Sequence, residues 1–410
     1  MQPDEVRDEV RAWIAEHWDP ELSLAEWRRR LVESGWAAAS WEPRWHGRGL
    51  PAWADGVASS ELHRADAPGL PLGGGTALAA PTILEHGPDS LRARFLAPIL
   101  GGTETWCQLF SEPGAGSDLA GVTTHAVLDG DRWIVNGQKV WNTSAHHADF
   151  GLLVARTDWD APKHRGLTYF VLPMHQAGVE VRSIRQMNDH RSFNEVFIAD
   201  AEIPREYVVG AVGDGWTVAL TTLAHERRFA GGDRSSPIQG GGPAREQARH
   251  EMDDYLQTYR WYPQRAGRVD LAIPHAHERG RGSDPLVRQE VARLWAMHKV
   301  SEWTALRARA ARAAGRPPGA EGSIGKLSSS RIARQAAAVH SLIGGADAML
   351  AGPDSRFGGT IAEILVSVPA QSIAGGTDEI QRNILGERSL GLPREPDPTK
   401  GLPYREARNT

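Results

Sequence analysis

Residues 123–141, TTHAVLDGDRWIVNGQKVW, hold two runs of alternating apolar and polar residues on either side of Asp129-Gly130. That dipeptide favours a tight turn, so the spacing predicts a β-hairpin. Four more short apolar runs follow: DFGLLVARTD, GLTYFVLP, GVEVRSI and NEVFIADAEIP. Short strands so closely spaced predict a small antiparallel barrel or sandwich over about 105–213.

On both sides of this block the period changes from two to that of a helix. Val6, Val10, Trp13, Ile14 and Trp18 fall on one helical face over 4–18, and Leu24, Trp27, Leu31 and Val32 do so over 24–36. Further helices are expected near 52–64, 75–86 and 89–100. After GDGW (213–216), WTVALTTLAHERRFAG reads as one helix, 284–315 as a long one led by Pro285, and IGKLSSSRIARQAAAVHSLIGG as another. Helices segregated from strands indicate an α+β chain rather than alternating βαβ units. The expected organisation is an N-terminal helical domain (1–104), a middle β domain (105–213), a C-terminal helical bundle (214–395) and a tail (396–410). Residues 231–283 form an irregular, insert-like segment: GGDRSSPIQGGGPAREQ reads as loop, AREQARHEMDDYLQTYRWY as one helix, and HAHERGRG as a charged loop with His275 and His277 solvated.

Bulk properties narrow the function. A length of 410 residues gives about two to four domains. A net charge of −5 gives no electrostatic case for nucleic acid or anionic membrane. No apolar run approaches the roughly 20 residues of a spanning helix, and MQPDEVRDEV lacks a signal-peptide core. The single cysteine, Cys107, fits a reducing cytoplasm and reads as a small buried apolar residue. No metal-ligand spacing stands out. The fifteen tryptophans read mostly as packing residues.

Two stretches carry chemistry. LFSEPGAGSDLAG (109–121) interrupts strand-forming sequence with three glycines, Pro113 and Ser117. Such a loop either brings backbone N–H groups close to a flat or anionic ligand, or is a tight connection. In IAGGTDEIQRN (373–383), Thr377 caps the helix that follows, and Gly375 and Gly376 permit close backbone approach. Asp378 reads as a surface acid that favours the helix dipole.

SEPGAGSD, NGQKVWNTSAHHAD, VGDGW and GGTDEIQRNILGERSLG, in this order and spacing, resemble the acyl-CoA dehydrogenase family, with an ending similar to actinobacterial-type members. The resemblance implies a C-terminal four-helix bundle, FAD as cofactor and an acyl-CoA thioester oxidised between Cα and Cβ. It implies a homodimer or homotetramer, with a hetero-oligomer as alternative, and an electron-transfer flavoprotein or other acceptor as partner. By the same resemblance Gln108, Phe110, Ser111, Gly116 and Ser117 lie against the flavin. Trp141 and Thr143 flank its ring, and Thr377 and Glu379 contact the diphosphate and ribose. Ser117 and Arg227 face the substrate.

Thioester oxidation needs a base for the α-proton and donors for the carbonyl. The common family pattern places a Glu just before the Gly-Thr of the last motif, and here that position is Gly375. A second family pattern draws the base from the first helix after the β domain, in the context Glu-Arg. LAHERRF supplies Glu226 and Arg227 there, with His225 as a rival base, and leaves Gly375 to offer its N–H to the thioester oxygen. His146 and His147 read as solvated, and Lys326 as structural. The family's Arg-x-x-Phe-Gly motif is not seen, and Arg279, Arg281 and Arg288 are the substitutes. Two rival readings are a subunit that completes FAD sites in a heteromeric complex, and a flavin oxidase or monooxygenase on the same fold.

Overall fold

The computed structural model describes residues 1–230, 238–314, 319–352 and 354–408. Part of the loop expected after position 230 therefore lies outside the described residues. The chain forms two compact units: one of residues 1–184, 191–258 and 399–410, the other of 185–190 and 259–398.

The first unit opens with helices α1 (Pro3–His17), α2 (Leu24–Glu33), α3 (Trp53–Arg64), α4 (Ala80–His86) and α5 (Asp89–Gly101). Their starts follow the sequence: Pro3 and the Gln2/Glu5 capping box begin α1, and Ser23 Oγ accepts from Glu26 N at 3.2 Å to begin α2. Val6, Val10 and Ile14 pack with Trp27 and Leu31 in one apolar core.

The strands are β1 (Trp106–Leu109), β2 (His125–Asp129), β3 (Arg132–Thr143), β4 (Phe150–Arg156), β5 (Leu167–Pro173), β6 (Val179–Ile184) and β7 (Phe193–Pro204). They form one seven-stranded sheet in the order β1-β4-β2-β3-β7-β6, with β5 also on β4. The expected hairpin is present: Asp129 pairs with Arg132 across a two-residue loop. Gly130, with φ of 62°, takes the left-handed conformation that such a turn demands. The sheet is antiparallel except where β1 and β2 meet β4 in parallel. A parallel pair needs a crossover, and residues 110–149 supply the one between β1 and β4.

Helix α6 (Gly215–Ala230), expected in the bundle, packs in this unit against β5 and α4. Helix α7 (Pro243–Tyr259) fulfils the single helix expected there and leans on α2 through Arg28 and Glu251, 2.6 Å apart. The other elements are helical: α8 (Tyr262–Arg265), α9 (Ala272–Glu278), α10 (Pro285–Ala313), α11 (Glu321–Gly344), α12 (Thr360–Ser367), α13 (Asp378–Arg388), and α14 (Tyr404–Ala407), which returns to the first unit.

In the second unit α9 and α10 pack on α11 through Ala272, Ala276, Val287, Leu294, Ile332, Ala336, Val339 and Ile343. This corrects the expectation for HAHERGRG. Residues 275–278 end a helix, and His275 is buried with its Nδ1 3.2 Å from His340 Nδ1. The reason is periodicity: His275 shares a face with Ala272 and Ala276, which seat against α11, while His277 points outward as expected. No described helix is long and apolar enough to cross a membrane.

Candidate functional site

Strand β1 carries Gln108, which is half-buried, between Cys107 and Leu109. Cys107 is buried, and burial pushes its thiol up to about 12, so it packs as an apolar residue. Asn142 of β3 donates to Gln108 O at 2.8 Å, and Asn194 of β7 donates to Asn142 O at 2.9 Å. These bonds tie β1, β3 and β7 together.

The loop 110–118 is built on a buried ion pair. Lys139 is fully buried, and its Nζ donates to Glu112 Oε1 (2.9 Å), Phe110 O (2.9 Å) and Val154 O (2.8 Å). Glu112 also accepts from Thr123 N at 2.7 Å and Thr124 N at 2.9 Å, closing the loop on itself. Burial alone would raise the Glu112 carboxyl, but the Lys139 charge and these hydrogen bonds hold it down to about 2. Phe110 is buried, Ser111 O accepts from Val140 N at 2.9 Å, and Gly116 and Ser117 lie exposed at the loop's far side. A Cβ added at Gly114 or Gly116 would meet nothing within 4 Å.

Trp141 breaks two rules at once. It is a bulky residue at φ of 63°, and it is 57% exposed. The cause is a register shift in the β3–β7 ladder between Val140 and Asn142, which turns the side chain out of the sheet. Such strain costs about 1–3 kcal/mol and persists where the fold imposes it, often at a functional site. Thr143 follows, half-buried, and pairs with Phe193.

Glu226 lies on α6. One turn earlier, Thr222 is buried and anchored to Tyr169 Oη (2.9 Å) and Thr82 Oγ1 (3.0 Å), which fixes the helix against β5 and α4. Gln108 Nε2 donates to the Glu226 carboxylate at Oε2 across 3.5 Å. Burial pushes the Glu226 carboxyl up from its ordinary value, while the Gln108 donor and the Arg227 charge pull it partway back. The structure thus brings two expected site residues, Gln108 and Glu226, side by side. Arg227 is exposed, and the rival base His225 has Nε2 3.6 Å from Glu85.

In the second unit Thr377 does cap α13: its Oγ1 accepts from Ile380 N at 3.3 Å. Gly375 is exposed with φ of 68°, and a Cβ there would meet nothing within 4 Å. Glu379 is exposed beside Arg382 at 3.0 Å. Asp378 corrects its reading as a surface acid. It is only 2% exposed and is gripped by Lys326 (3.1 Å) and Arg334 (3.0 Å) of α11. Lys326 is therefore structural, as expected. Arg279 pairs with Asp347, and Arg281 with Asp284, so both have local partners.

Sequence reasoning missed Glu112 and Lys139. Period two held the signal for Lys139: Trp133, Val135 and Lys139 share the buried face of β3, so a charged residue there needed a buried partner.

Comparison with known proteins bears directly on this geometry. The family models for the acyl-CoA dehydrogenase N-terminal, middle and C-terminal domains match residues 3–103, 107–201 and 264–390. The acyl-CoA dehydrogenase IpdE1 of Mycobacterium tuberculosis is 34% identical over 409 residues, covering 96% of this chain and 98% of that one. The chain belongs to the acyl-CoA dehydrogenase family. FadE34 of the same organism, also an acyl-CoA dehydrogenase, is 37% identical over 95% of this chain but only 49% of its own length. Among solved structures, the ChsE4–ChsE5 complex from Mycobacterium tuberculosis is 26% identical with a TM-score of 0.64, covering 96% of this chain and 98% of that one. The steroid acyl-CoA dehydrogenase Tcur3481–Tcur3483 is 23% identical with a TM-score of 0.64, covering 96% of this chain and 98% of that one, and supports the fold.

The chain is accordingly an oxidoreductase acting on acyl-CoA and a flavoprotein that uses FAD. The residues present fit that cofactor. An exposed indole held out in strained backbone suits a flat ring, and the open glycine loop leaves backbone groups approachable.

Proposed function

We propose that this acyl-CoA dehydrogenase removes the α-proton of its thioester substrate with Glu226. The observation that carries this is the carboxylate on α6, enclosed enough for burial to raise its pKa and contacted by Gln108. A base working near neutrality needs such a raised value, and the other family position for it is Gly375. Bound FAD supplies the two-electron acceptor for the β-hydrogen. Gln108 orients the Glu226 carboxylate through its side-chain amide, and Asn142 donates to the Gln108 backbone carbonyl. On the family resemblance, with the open loop and the exposed Trp141 in support, we assign Gln108, Phe110, Ser111, Gly116, Ser117, Trp141 and Thr143 to FAD, with Ser117 and Arg227 also facing substrate. Thr377 and Glu379 are assigned to FAD through the capped start of α13. Gly375, open and without a side chain, offers its N–H to the thioester oxygen. The proposed setting is cytoplasmic, with an electron-transfer flavoprotein as the acceptor partner.

Anaerobic titration of wild-type and Glu226→Gln holoenzyme with a panel of acyl-CoAs tests the base. Unchanged flavin bleaching in the variant removes Glu226 from the mechanism. A second reading is a subunit that works beside a different chain, supported by Gly375 and by likeness to the ChsE4–ChsE5 complex. Stoichiometric FAD and substrate-dependent bleaching in the purified chain alone would exclude it.

A further inference from the structure

Arg156 ends β4 fully buried, and among the described residues its hydrogen bonds run to carbonyls rather than to a carboxylate. Its Nη2 donates to Ala120 O at 2.7 Å, its Nε to Val122 O at 3.3 Å and its Nη1 to Lys163 O at 3.1 Å. Burial lowers the Arg156 pKa, and the charges of Glu112, Asp158 and Asp118 act on it without a direct hydrogen bond among the described residues. A buried cation so held needs its remaining face covered. Tyr404 covers it: the guanidinium carbon lies 3.6 Å from the centre of the Tyr404 ring. The Tyr404 hydroxyl then donates to Gly121 O at 2.6 Å. Three consecutive carbonyls, at 120, 121 and 122, are thus taken by these two side chains.

The segment bearing Tyr404 is seated for this purpose. Tyr404 N donates to Ala161 O (3.0 Å), Arg405 N to Trp159 O (3.1 Å), and Trp159 packs against the Tyr404 ring at 5.7 Å. The turn it grips, Leu119–Gly121, directly follows the loop 110–118. Glu112 and Lys139 fix the near end of that loop. Lys163, whose carbonyl serves Arg156, pairs through its side chain with Asp118.

We propose that Tyr404 is a positioning residue for the cofactor loop. By roofing Arg156 and bonding Gly121 O, it holds the 119–122 turn, and with it Gly116 and Ser117, in the conformation that takes FAD. This rests on the assignment of loop 110–118 to FAD and adds the element that sets the loop's shape.

The test compares Tyr404→Ala, Tyr404→Phe and Gly116→Val by amide hydrogen exchange on the apo form and by FAD titration followed through flavin fluorescence. Tyr404→Ala is expected to speed exchange over 114–122 and to weaken FAD binding about tenfold. Tyr404→Phe keeps the roof and loses one hydrogen bond, so about threefold weakening is expected. Its rescue relative to Ala separates positioning from a general loss of fold, and it carries the test if the Ala variant does not fold. Gly116→Val has space for its side chain and is expected to weaken FAD without changing exchange at 119–122. Unchanged exchange in Tyr404→Ala, or in Tyr404→Phe where that variant carries the test, overturns the proposal. Faster exchange with unchanged FAD affinity overturns its link to the cofactor. If Gly116→Val binds FAD normally, the loop assignment fails, and the cofactor role of Tyr404 falls with it.

Discussion

Gln108 Nε2 donates to Glu226 Oε2 across 3.5 Å, joining the first strand of the sheet to the helix that carries the proposed base. A hydrogen bond this long is weak in the free enzyme, and catalytic contacts commonly shorten when substrate binds. Glu226→Gln keeps the shape and loses the proton acceptor. The expected loss is about 10²- to 10⁴-fold in the rate of flavin reduction, read by anaerobic stopped flow. FAD content is expected to stay unchanged, which separates this result from misfolding.

The same pair sets a pH profile. Burial raises the Glu226 pKa, so the flavin-reduction rate is expected to climb with pH through a value above the ordinary carboxylate range. The Gln108 donor favours the charged form. Gln108→Leu therefore moves the ascending limb to higher pH. Stability runs the opposite way: the folded state holds its proton longer than the unfolded chain does. Stability falls as pH rises from the ordinary carboxylate value through the raised one. The melting advantage of Glu226→Gln over wild type should accordingly widen across that window, and a constant difference would refute the shift.

Lys139 and Glu112 form the buried footing of the loop. Lys139→Met leaves the Glu112 charge buried without its partner, and the expected destabilisation is about 3–5 kcal/mol in urea unfolding. Replacing both residues with apolar ones should recover much of that loss. Glu112 is held down to about 2, below its unfolded value, so its contribution is complete above the ordinary carboxylate pKa and is lost as pH falls towards 2. In Glu112→Gln this acid-sensitive component should disappear from the melting curve.

What the sequence made legible was local. The Asp129-Gly130 hairpin, the Thr377 cap and the long helices α10 and α11 follow from residues within a turn or two of each other. The misread residues owe their state to distant partners. Asp378 looks like a dipole acid until Lys326 and Arg334 of α11 close over it, and His275 looks solvated until α9 lays Ala272 and Ala276 on that same helix. Site residues divide in the same way. Motifs pointed to Trp141 and Glu226, but the bulge that exposes Trp141 depends on its pairing with β7.

Asp378 supports a separate prediction. Its carboxyl lies below its ordinary value because bonds from Ser330 and Lys326 and the charges of Lys326 and Arg334 outweigh burial. Asp378→Ala strips α11 of its grip on α13 and leaves Lys326, itself mostly buried, without a counter-charge. We expect about 3 kcal/mol of lost stability, together with faster amide exchange over 377–388. Thr377→Ala, which removes only the cap, should cost about 1 kcal/mol. Equal losses in the two variants would show that Asp378 acts as no more than a helix-start acid.

Trp141 allows the most discriminating test, because stability and function should move in opposite directions. A tryptophan buried in a core costs about 3–5 kcal/mol when truncated. Trp141 is 57% exposed, meets Phe193 only edge-on at 5.8 Å, and sits at a φ that disfavours bulky side chains. Asn tolerates that backbone well. Trp141→Asn is therefore expected to leave the apo protein as stable as wild type or up to about 1 kcal/mol more stable. FAD affinity should fall in the same variant, since the indole face is lost. Chemical unfolding of the apo form and FAD titration of the same preparation decide the matter. A loss of about 3 kcal/mol in the apo protein would mean that Trp141 is a packing residue and that its strained backbone serves the sheet rather than the cofactor.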